Sequence, residues 1–173
     1  MEIIAVIGVI LVSICAMLSQ LEVDYDPLIV DKSVVLARTQ KQVFYYVADF
    51  HNHKKWIGGI GKTEELDDSL MGEGKQFYQM VETPFVGETK QQLEILQYTP
   101  TSKLVYNSNM ELLKPRMELE ITPGNKPGQT RLTWKTYSRR RSYLFCMTIL
   151  PVSKYFSNAN LRTTLFNLRT LIH

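Results

Sequence analysis

The sequence predicts an α+β fold in which an antiparallel sheet curls around a long C-terminal helix, behind an apolar N-terminal segment. An apolar run interrupted only by Gly8 and Ser13 occupies positions 3–18. Strand-like runs separated by short turns fill the middle of the chain, and an apolar stripe at helical spacing closes it. Strands, mostly consecutive, followed by a helix are typical of an α+β fold. A sheet that curls around a helix leaves room for a pocket between them.

The N-terminal run predicts a membrane anchor over residues 1–21, followed by a linker over 22–29 and a single domain over 30–173. A bilayer-spanning helix needs roughly 20 apolar residues, which the run reaches when its flanks are counted. A cleaved signal is the alternative, but Glu2 is the one charged residue before the run and no good cleavage site follows it. A buried core helix is the third reading.

The side of the membrane is unresolved, with the cytoplasmic face slightly favoured. Lys32 and Arg38, the basic residues nearest the anchor, both follow it, which the positive-inside rule associates with a cytoplasmic domain. Cys15 lies in the anchor and Cys146 is alone in the domain, so no disulfide within the domain is possible.

The first part of the domain predicts a strand and then a helix. Residues 30–38 are rich in β-branched side chains, and Thr39 can cap a helix whose apolar residues follow helical spacing. Further strands are predicted over residues 63–66, 75–83, 88–98, 103–110, 117–122 and 130–138. Turn sequences separate them, among them Thr83-Pro84, so we expect hairpins and an antiparallel meander. The apolar stripe Leu161, Leu165, Leu168 and Ile172 predicts the terminal helix from about Ser153 onward.

Charge is distributed unevenly along the chain. No Asp or Glu follows Glu120, whereas nine Lys and Arg residues lie in that last third. A basic face attracts phosphate, from anionic lipid or from nucleic acid. Because the chain carries an apolar anchor, we expect a lipid partner and no nucleic acid; a face that only aids solubility is the alternative.

The domain resembles the polyketide cyclase/dehydrase and lipid-transport family of the START-related, or SRPBCC, helix-grip superfamily. Residues 43–49, VFYYVAD, with Asn52 and Trp56 are similar to the opening signature of that family. Later landmarks are similar as well, in order and spacing: residues 72–77, 99–106, 128–134 and 160–171. The resemblance implies a helix-grip fold whose cavity holds a hydrophobic or amphipathic small molecule. It implies no reaction, since the family shares no catalytic motif to transfer. We also predict no cofactor.

Strand alternation indicates which residues face the cavity. In residues 117–122 the apolar Met117, Leu119 and Ile121 share the face that should point inward. We predict the cavity lining, with plain core packing as the alternative for each, to be Phe44, Trp56, Phe77, Tyr106, Leu119, Trp134, Phe156, Leu161, Leu165 and Leu168.

Candidate catalytic and metal sites find little support in the sequence. His51 and His53 would point to different sides of a helix, and no Cys or acidic pair is spaced to complete a metal site. Glu118 and Glu120 share a strand face with Arg116, which indicates a solvated, charge-balanced surface. We therefore predict no catalytic residue and no metal ligand, and consider an enzyme less favoured than a binding protein.

The sequence gives little support for phosphate binding or nucleophilic catalysis. Residues 58–61, GGIG, lack the strand-to-helix context of a phosphate loop, and no nucleophile elbow is present. Tyr45, Tyr106 and Tyr137 are polar groups that could orient a ligand or donate a proton, and the sequence does not choose between these roles. The rival functions are a cyclase acting on a polyketide-like substrate and an interaction module whose core is filled by its own side chains.

Arg139, Arg140 and Arg141 precede an apolar stretch over residues 142–150. That stretch is too short to span a bilayer, but arginines beside aromatic and aliphatic residues suit contact with a membrane surface. We predict this contact for the three arginines. The alternative is a strand end running into a buried connection before the terminal helix. Oligomeric state is left open.

Overall fold

The apolar N-terminal segment forms helix α1, Glu2–Gln20, in the computed structural model, which describes residues 2–83 and 87–172. No residue of α1 is buried, so α1 is not a core helix. Within the described residues, α1 alone is long and apolar enough to cross a bilayer, a test that a signal sequence also passes.

The domain is built on one antiparallel sheet of seven strands, in the order β1-β7-β6-β5-β4-β3-β2. The strands are β1 Leu28–Leu36, β2 Ile60–Glu65, β3 Gln76–Thr83, β4 Gly87–Thr99, β5 Lys103–Ser108, β6 Pro115–Pro123 and β7 Thr130–Ser138. The predicted meander is confirmed over β2 to β7, and β1 closes back on β7. The predicted turn at Pro84 lies outside the described residues.

Strand β6 shows how the sequence sets the two faces of the sheet. Met117, Leu119 and Ile121 are buried, whereas Arg116, Glu118 and Glu120 between them are half-buried. This is the predicted alternation, with the apolar face inward. The outer face carries ion pairs, including Arg116 with Glu118 at 3.2 Å and Lys135 with Glu120 at 3.6 Å. The predicted charge-balanced surface is therefore present.

Between β1 and β2 the chain forms helix α2, Gln40–Ala48, then a 3-10 helix, Phe50–Asn52, and α3, His53–Trp56. Thr39 caps α2 as predicted, in a capping box: the Gln42 N–H donates to Thr39 Oγ1 at 3.4 Å, and the Thr39 N–H donates to Gln42 Oε1 at 3.2 Å. Val43, Phe44 and Val47 then lie in the core.

Replacing Thr39 with alanine is expected to lower the free energy of unfolding by about 1 kcal/mol, because it removes an N-cap acceptor. Thr39→Ser keeps the hydroxyl and should lose much less. Urea unfolding of the full chain in mild detergent would measure both, and equal losses would contradict the assigned role of the hydroxyl.

The terminal helix α4 spans Tyr143–Leu171, about ten residues more at its start than the sequence predicts. Ser142 caps it, accepting from the Phe145 N–H at 3.3 Å, and Phe145 and Leu150 anchor its first part in the core. Residues 143–150 are thus the first turns of α4, and not the connection before the terminal helix that was the alternative for this stretch. Pro151 lies inside α4, at an exposed position where the helix continues without its hydrogen bond.

The connection between α1 and the domain is tied to the start of α4. Glu22 forms a β-bridge with Ser142; the Val23 N–H donates to the Arg141 carbonyl and the Tyr143 N–H to the Leu21 carbonyl, both at 2.9 Å. The predicted linker over 22–29 is therefore held by backbone hydrogen bonds in its first part, and β1 already begins at Leu28.

Candidate ligand-binding site

Most of the predicted cavity residues meet in one cluster inside the sheet. Nine of the ten lie in the buried core: Phe44, Trp56, Phe77, Tyr106, Leu119, Trp134, Leu161, Leu165 and Leu168. Burial of this kind suits core packing as well as a pocket, so contact with a ligand stays a prediction. Phe156 is different: its side chain is 61% exposed on α4, and its predicted inward placement is wrong.

Aromatic rings fill the space beneath α2 and α3. Phe50 packs against Phe77, His53 and Tyr106, with ring centroids 4.7, 4.6 and 5.0 Å apart. His53 packs against Trp56 at 5.3 Å. These contacts occupy the centre of the domain, so any ligand volume is restricted to its margin.

A cavity of about 170 Å³ lies at that margin, between α4 and the β1–β7 side of the sheet. Most of the exposed surface of its lining is apolar. The lining residues are the apolar Val30, Ile57, Trp134 and Leu161 and the polar Thr136, Ser157, Asn160 and Thr164. The cavity is widely open to the surface, and the exposed Asn160 lies on its rim. Of the predicted lining residues, Trp134 and Leu161 border it.

The size and chemistry of this cavity limit what enters it. Binding sites for whole drug-sized ligands occupy roughly 300–1,000 Å³, so this open cavity of about 170 Å³ is smaller than such a site. The Trp134 indole N–H donates to Thr136 Oγ1 at 3.1 Å, which satisfies one polar group of the lining. The cavity therefore suits the apolar end of a ligand rather than a whole large molecule.

Trp134, which lines the cavity, packs against Trp56, whose indole N–H lacks a hydrogen-bond partner among the described residues. Its ring lies 5.6 Å from the ring of Trp56, centroid to centroid, and the Trp56 indole N–H is buried with no hydrogen-bond partner among the described residues. Buried polar groups are nearly always hydrogen-bonded. A ligand oxygen that reached this N–H would satisfy it.

The residue that the sequence reading underestimated is His53, which is 1% exposed. Its Nε2 lies 3.1 Å from the Val47 carbonyl, which can only accept, so Nε2 carries the proton. Its Nδ1 lies 3.5 Å from the Gln79 side-chain nitrogen. Burial lowers the pKa of His53 to about 4, so the ring is neutral at pH 7.

Gln79 extends this contact into a polar row across the inner face of the sheet. Its amide nitrogen donates to Thr63 Oγ1 at 3.1 Å, and its oxygen accepts from the Gln91 amide at 3.0 Å. The Ser108 hydroxyl donates to the Gln91 oxygen at 2.7 Å. Strand alternation predicts that Gln79 faces inward, because it lies two residues after the inward-facing Phe77. It does not predict the hydrogen-bond partners of Gln79, which are distant in sequence.

This polar row lies apart from the cavity. Both ring nitrogens of His53 are occupied, and neither His53 nor Gln79 borders the cavity. Burial raises the pKa of Tyr106, which keeps its phenol protonated. Within residues 2–83 and 87–172, no group of three His, Cys, Asp or Glu side chains is placed to hold a metal ion.

The three arginines predicted at a membrane surface have separate roles. Arg139 donates to the carbonyls of Ser108 and Lys114 at 2.7 and 3.0 Å. Arg141 pairs with Asp26 at 2.7 Å. Arg140 is exposed, and its guanidinium forms no ion pair with any residue that the structure describes. Membrane contact stays a prediction for all three.

Comparison with solved structures shows the fold. A START superfamily protein from Mycobacterium smegmatis is 16% identical with a TM-score of 0.66, covering 84% of this chain and 97% of that one. The di-domain ARO/CYC protein StfQ of the steffimycin biosynthetic pathway is 16% identical with a TM-score of 0.65, covering 85% of this chain and 52% of StfQ. A Deinococcus radiodurans protein of known structure, DR_A0006, is 16% identical with a TM-score of 0.60, covering 82% and 94% of the two chains.

Sequence comparison assigns the family. No functionally curated protein matches the chain. The model of one family, described as polyketide cyclase/dehydrase and lipid transport, matches residues 27–165, which is nearly the whole domain and most of the chain. The chain therefore belongs to the polyketide cyclase/dehydrase and lipid-transport family, with the helix-grip fold.

Proposed function

We propose that this protein is held at a membrane by α1 and binds the apolar part of a lipid or isoprenoid in the cavity beside α4. The observation that carries the proposal is the cavity between α4 and β7, apolar in most of its exposed lining surface and open to the surface near Asn160. Its family binds ligands in the same helix-grip fold. Apolar burial provides the affinity, at about 25 cal/mol for each Å² removed from water.

An exposed apolar helix of this length supports the anchoring part of the proposal. The side chains of α1 are exposed almost throughout, and large apolar side chains such as Ile3, Val9 and Val12 are 67–76% accessible. Apolar surface of this extent on a soluble protein is unusual and indicates a membrane or protein contact. Burial in a bilayer removes it from water.

Ligand content tests the binding part directly. The full chain, extracted from membranes of its host in mild detergent, would be analysed by native mass spectrometry and by organic extraction. A lipid or isoprenoid retained at near-stoichiometric amount supports the proposal and identifies the ligand. A chain without ligand, whose thermal unfolding no lipid of a panel shifts, contradicts it, because binding to the native state must raise stability.

Filling the cavity is expected to weaken binding. Ser157 lines the cavity and Asn158, its neighbour on α4, is exposed and does not. Excluding two methylenes of a ligand costs about 1.6 kcal/mol, or about tenfold in Kd. Ser157→Phe should therefore bind a fluorescent fatty-acid analogue about tenfold more weakly, whereas the matched control Asn158→Phe should bind as the unmodified chain does. Equal affinities of the two variants would mean that the ligand does not bind in this cavity.

A further inference from the structure

A second cavity, polar in its lining, lies on the outer face of the sheet. Its volume is about 210 Å³, and its lining residues are Gln92, Glu94, Asn107, Ser108, Asn109 and Arg139. Glu94 and Asn107 lie directly opposite each other on β4 and β5, on the face turned away from the buried Leu93 and Tyr106. This polar cavity shares no lining residue with the cavity beside α4 and is a separate candidate site.

One end of the polar cavity carries hydrogen-bond acceptors. Asn107 Oδ1 is buried, and none of the residues that the structure describes donates to it. Arg116, directly opposite on β6, does not do so, because its terminal nitrogens pair with Asp26 and Glu118 and its Nε also has no partner. Glu94 is exposed, and its carboxylate pairs with no cation among the described residues. These oxygens suit a donor that also carries positive charge, such as a primary ammonium.

The other end of the polar cavity carries donors in fixed positions. Arg139 donates to the carbonyls of Ser108 and Lys114 at 2.7 and 3.0 Å, which holds its guanidinium beside the end of β5. Asn109 Oδ1 accepts from the Gln92 N–H at 2.8 Å, so the amide nitrogen of Asn109 is left to donate. A guanidinium with further N–H groups and a neighbouring amide suit a phosphate.

The two ends are opposite in charge and do not pair with each other. Glu94 and Arg139 both line the polar cavity, and the structure shows no ion pair between them. Asn107 and Asn109 are two residues apart along the chain, a spacing of roughly 7 Å in extended backbone. A ligand with a cationic and an anionic group at a similar separation satisfies both ends, whereas an ion of a single sign meets a like charge at one of them.

We propose that the polar cavity binds an ethanolamine phosphodiester, with the ammonium at Glu94 and the phosphate at Arg139. The two charged groups of this ligand are joined by two carbons, and its net charge is zero. Choline phosphodiesters carry the same charges, but their trimethylammonium has no N–H for the oxygens of Glu94 and Asn107. The polar cavity should therefore reject choline, because the buried Asn107 oxygen would stay unpaired.

Ethanolamine phosphodiesters occur as soluble compounds and as the head group of phosphatidylethanolamine. Arg139 is two residues before Arg141, whose carbonyl accepts from the Val23 N–H just after α1. Under the proposed anchoring by α1, this end of the sheet lies near the bilayer surface, where lipid head groups are available. Binding of the soluble compound does not depend on that anchoring.

Native mass spectrometry of the full chain in mild detergent tests the proposal with two soluble probes, glycerophosphoethanolamine and glycerophosphocholine. We expect the ethanolamine compound to bind about tenfold more tightly, the lower end of what hydrogen bonds to charged groups contribute. Glu94→Gln should weaken its binding about tenfold. The matched control is Glu88→Gln, at an exposed position on the same face of β4 and outside the polar cavity, and it should bind as the unmodified chain does.

Phosphatidylethanolamine, titrated in the same detergent, distinguishes the two sources. Tighter binding of the lipid with the same loss in Glu94→Gln assigns the polar cavity to a lipid head group, and equal affinities assign it to the soluble compound. Equal binding of the ethanolamine and choline probes, no binding of either at millimolar concentration, or full affinity in Glu94→Gln overturns the proposal. Ser157→Phe fills the cavity beside α4 and should leave binding of the soluble probe unchanged, which separates this site from the proposed function.

Discussion

Replacing Leu119 with alanine is expected to lower the free energy of unfolding by about 2–5 kcal/mol, the range for emptying a fully buried leucine site. Leu119 is 0% exposed in β6, in the middle of the sheet, and its cross-strand partners are Leu104 and Trp134. The cost includes the cavity left behind, because surrounding side chains relax only partly into the space.

The adjacent residue provides the control for this change. Glu120 lies on the outer face, 3.8 Å from Lys103 and 3.6 Å from Lys135. Exposed ion pairs contribute about 0–1 kcal/mol, so Glu120→Ala should lose no more than that. Urea unfolding of the full chain in detergent, followed by tryptophan fluorescence, measures both; similar losses would show that the inner and outer faces of β6 are wrongly assigned.

Acidification from pH 7 to pH 5 is expected to cost about 2 kcal/mol of stability through His53 alone. The folded pKa of His53 is about 4, below its ordinary 6.5, because burial disfavours the charged ring. Between these values the unfolded chain binds the proton and the folded chain does not. Stability is therefore complete above pH 6.5 and falls as the pH approaches 4.

Substitution separates this effect from other acid effects. His53→Gln can still donate to the Val47 carbonyl and cannot titrate, so its unfolding free energy should change little between pH 7 and pH 5, whatever its absolute value. His51→Gln removes an exposed histidine that lies 3.4 Å from Glu65 and should keep most of the loss. An unchanged pH dependence in His53→Gln would show that another group titrates.

Local patterns of the sequence were sufficient to predict the strands of the sheet and the start of α2. Alternation in β6 separates Leu119 from Glu120, and Thr39 marks the start of α2, because both signals act within a few residues. The start of α4 was placed about ten residues late, because the apolar stripe that predicts this helix begins only at Leu161. Ser142 caps the helix, and Phe145 and Leu150 are buried. The spacing of apolar residues alone does not show these contacts.

The candidate site was less predictable than the fold. Strand and helix periodicity correctly identified buried residues such as Trp134 and Leu161, but a core residue and a cavity residue have the same pattern. The cavity is the space left after the aromatic rings pack, and it depends on side-chain volumes across several elements. Phe156 shows the converse error, since its position on α4 turns an apolar side chain outward.

The edge strand β2 affects how readily neighbouring copies of the domain aggregate. It ends the sheet, has six residues, and carries Lys62, Glu64 and Glu65 along with an irregular register at its start. Under the proposed anchoring by α1, neighbouring chains would share one bilayer and meet edge to edge more often than chains in solution. A short, charged and irregular edge resists the strand pairing that would join them into aggregates. At high local density, such an edge therefore keeps neighbouring domains separate.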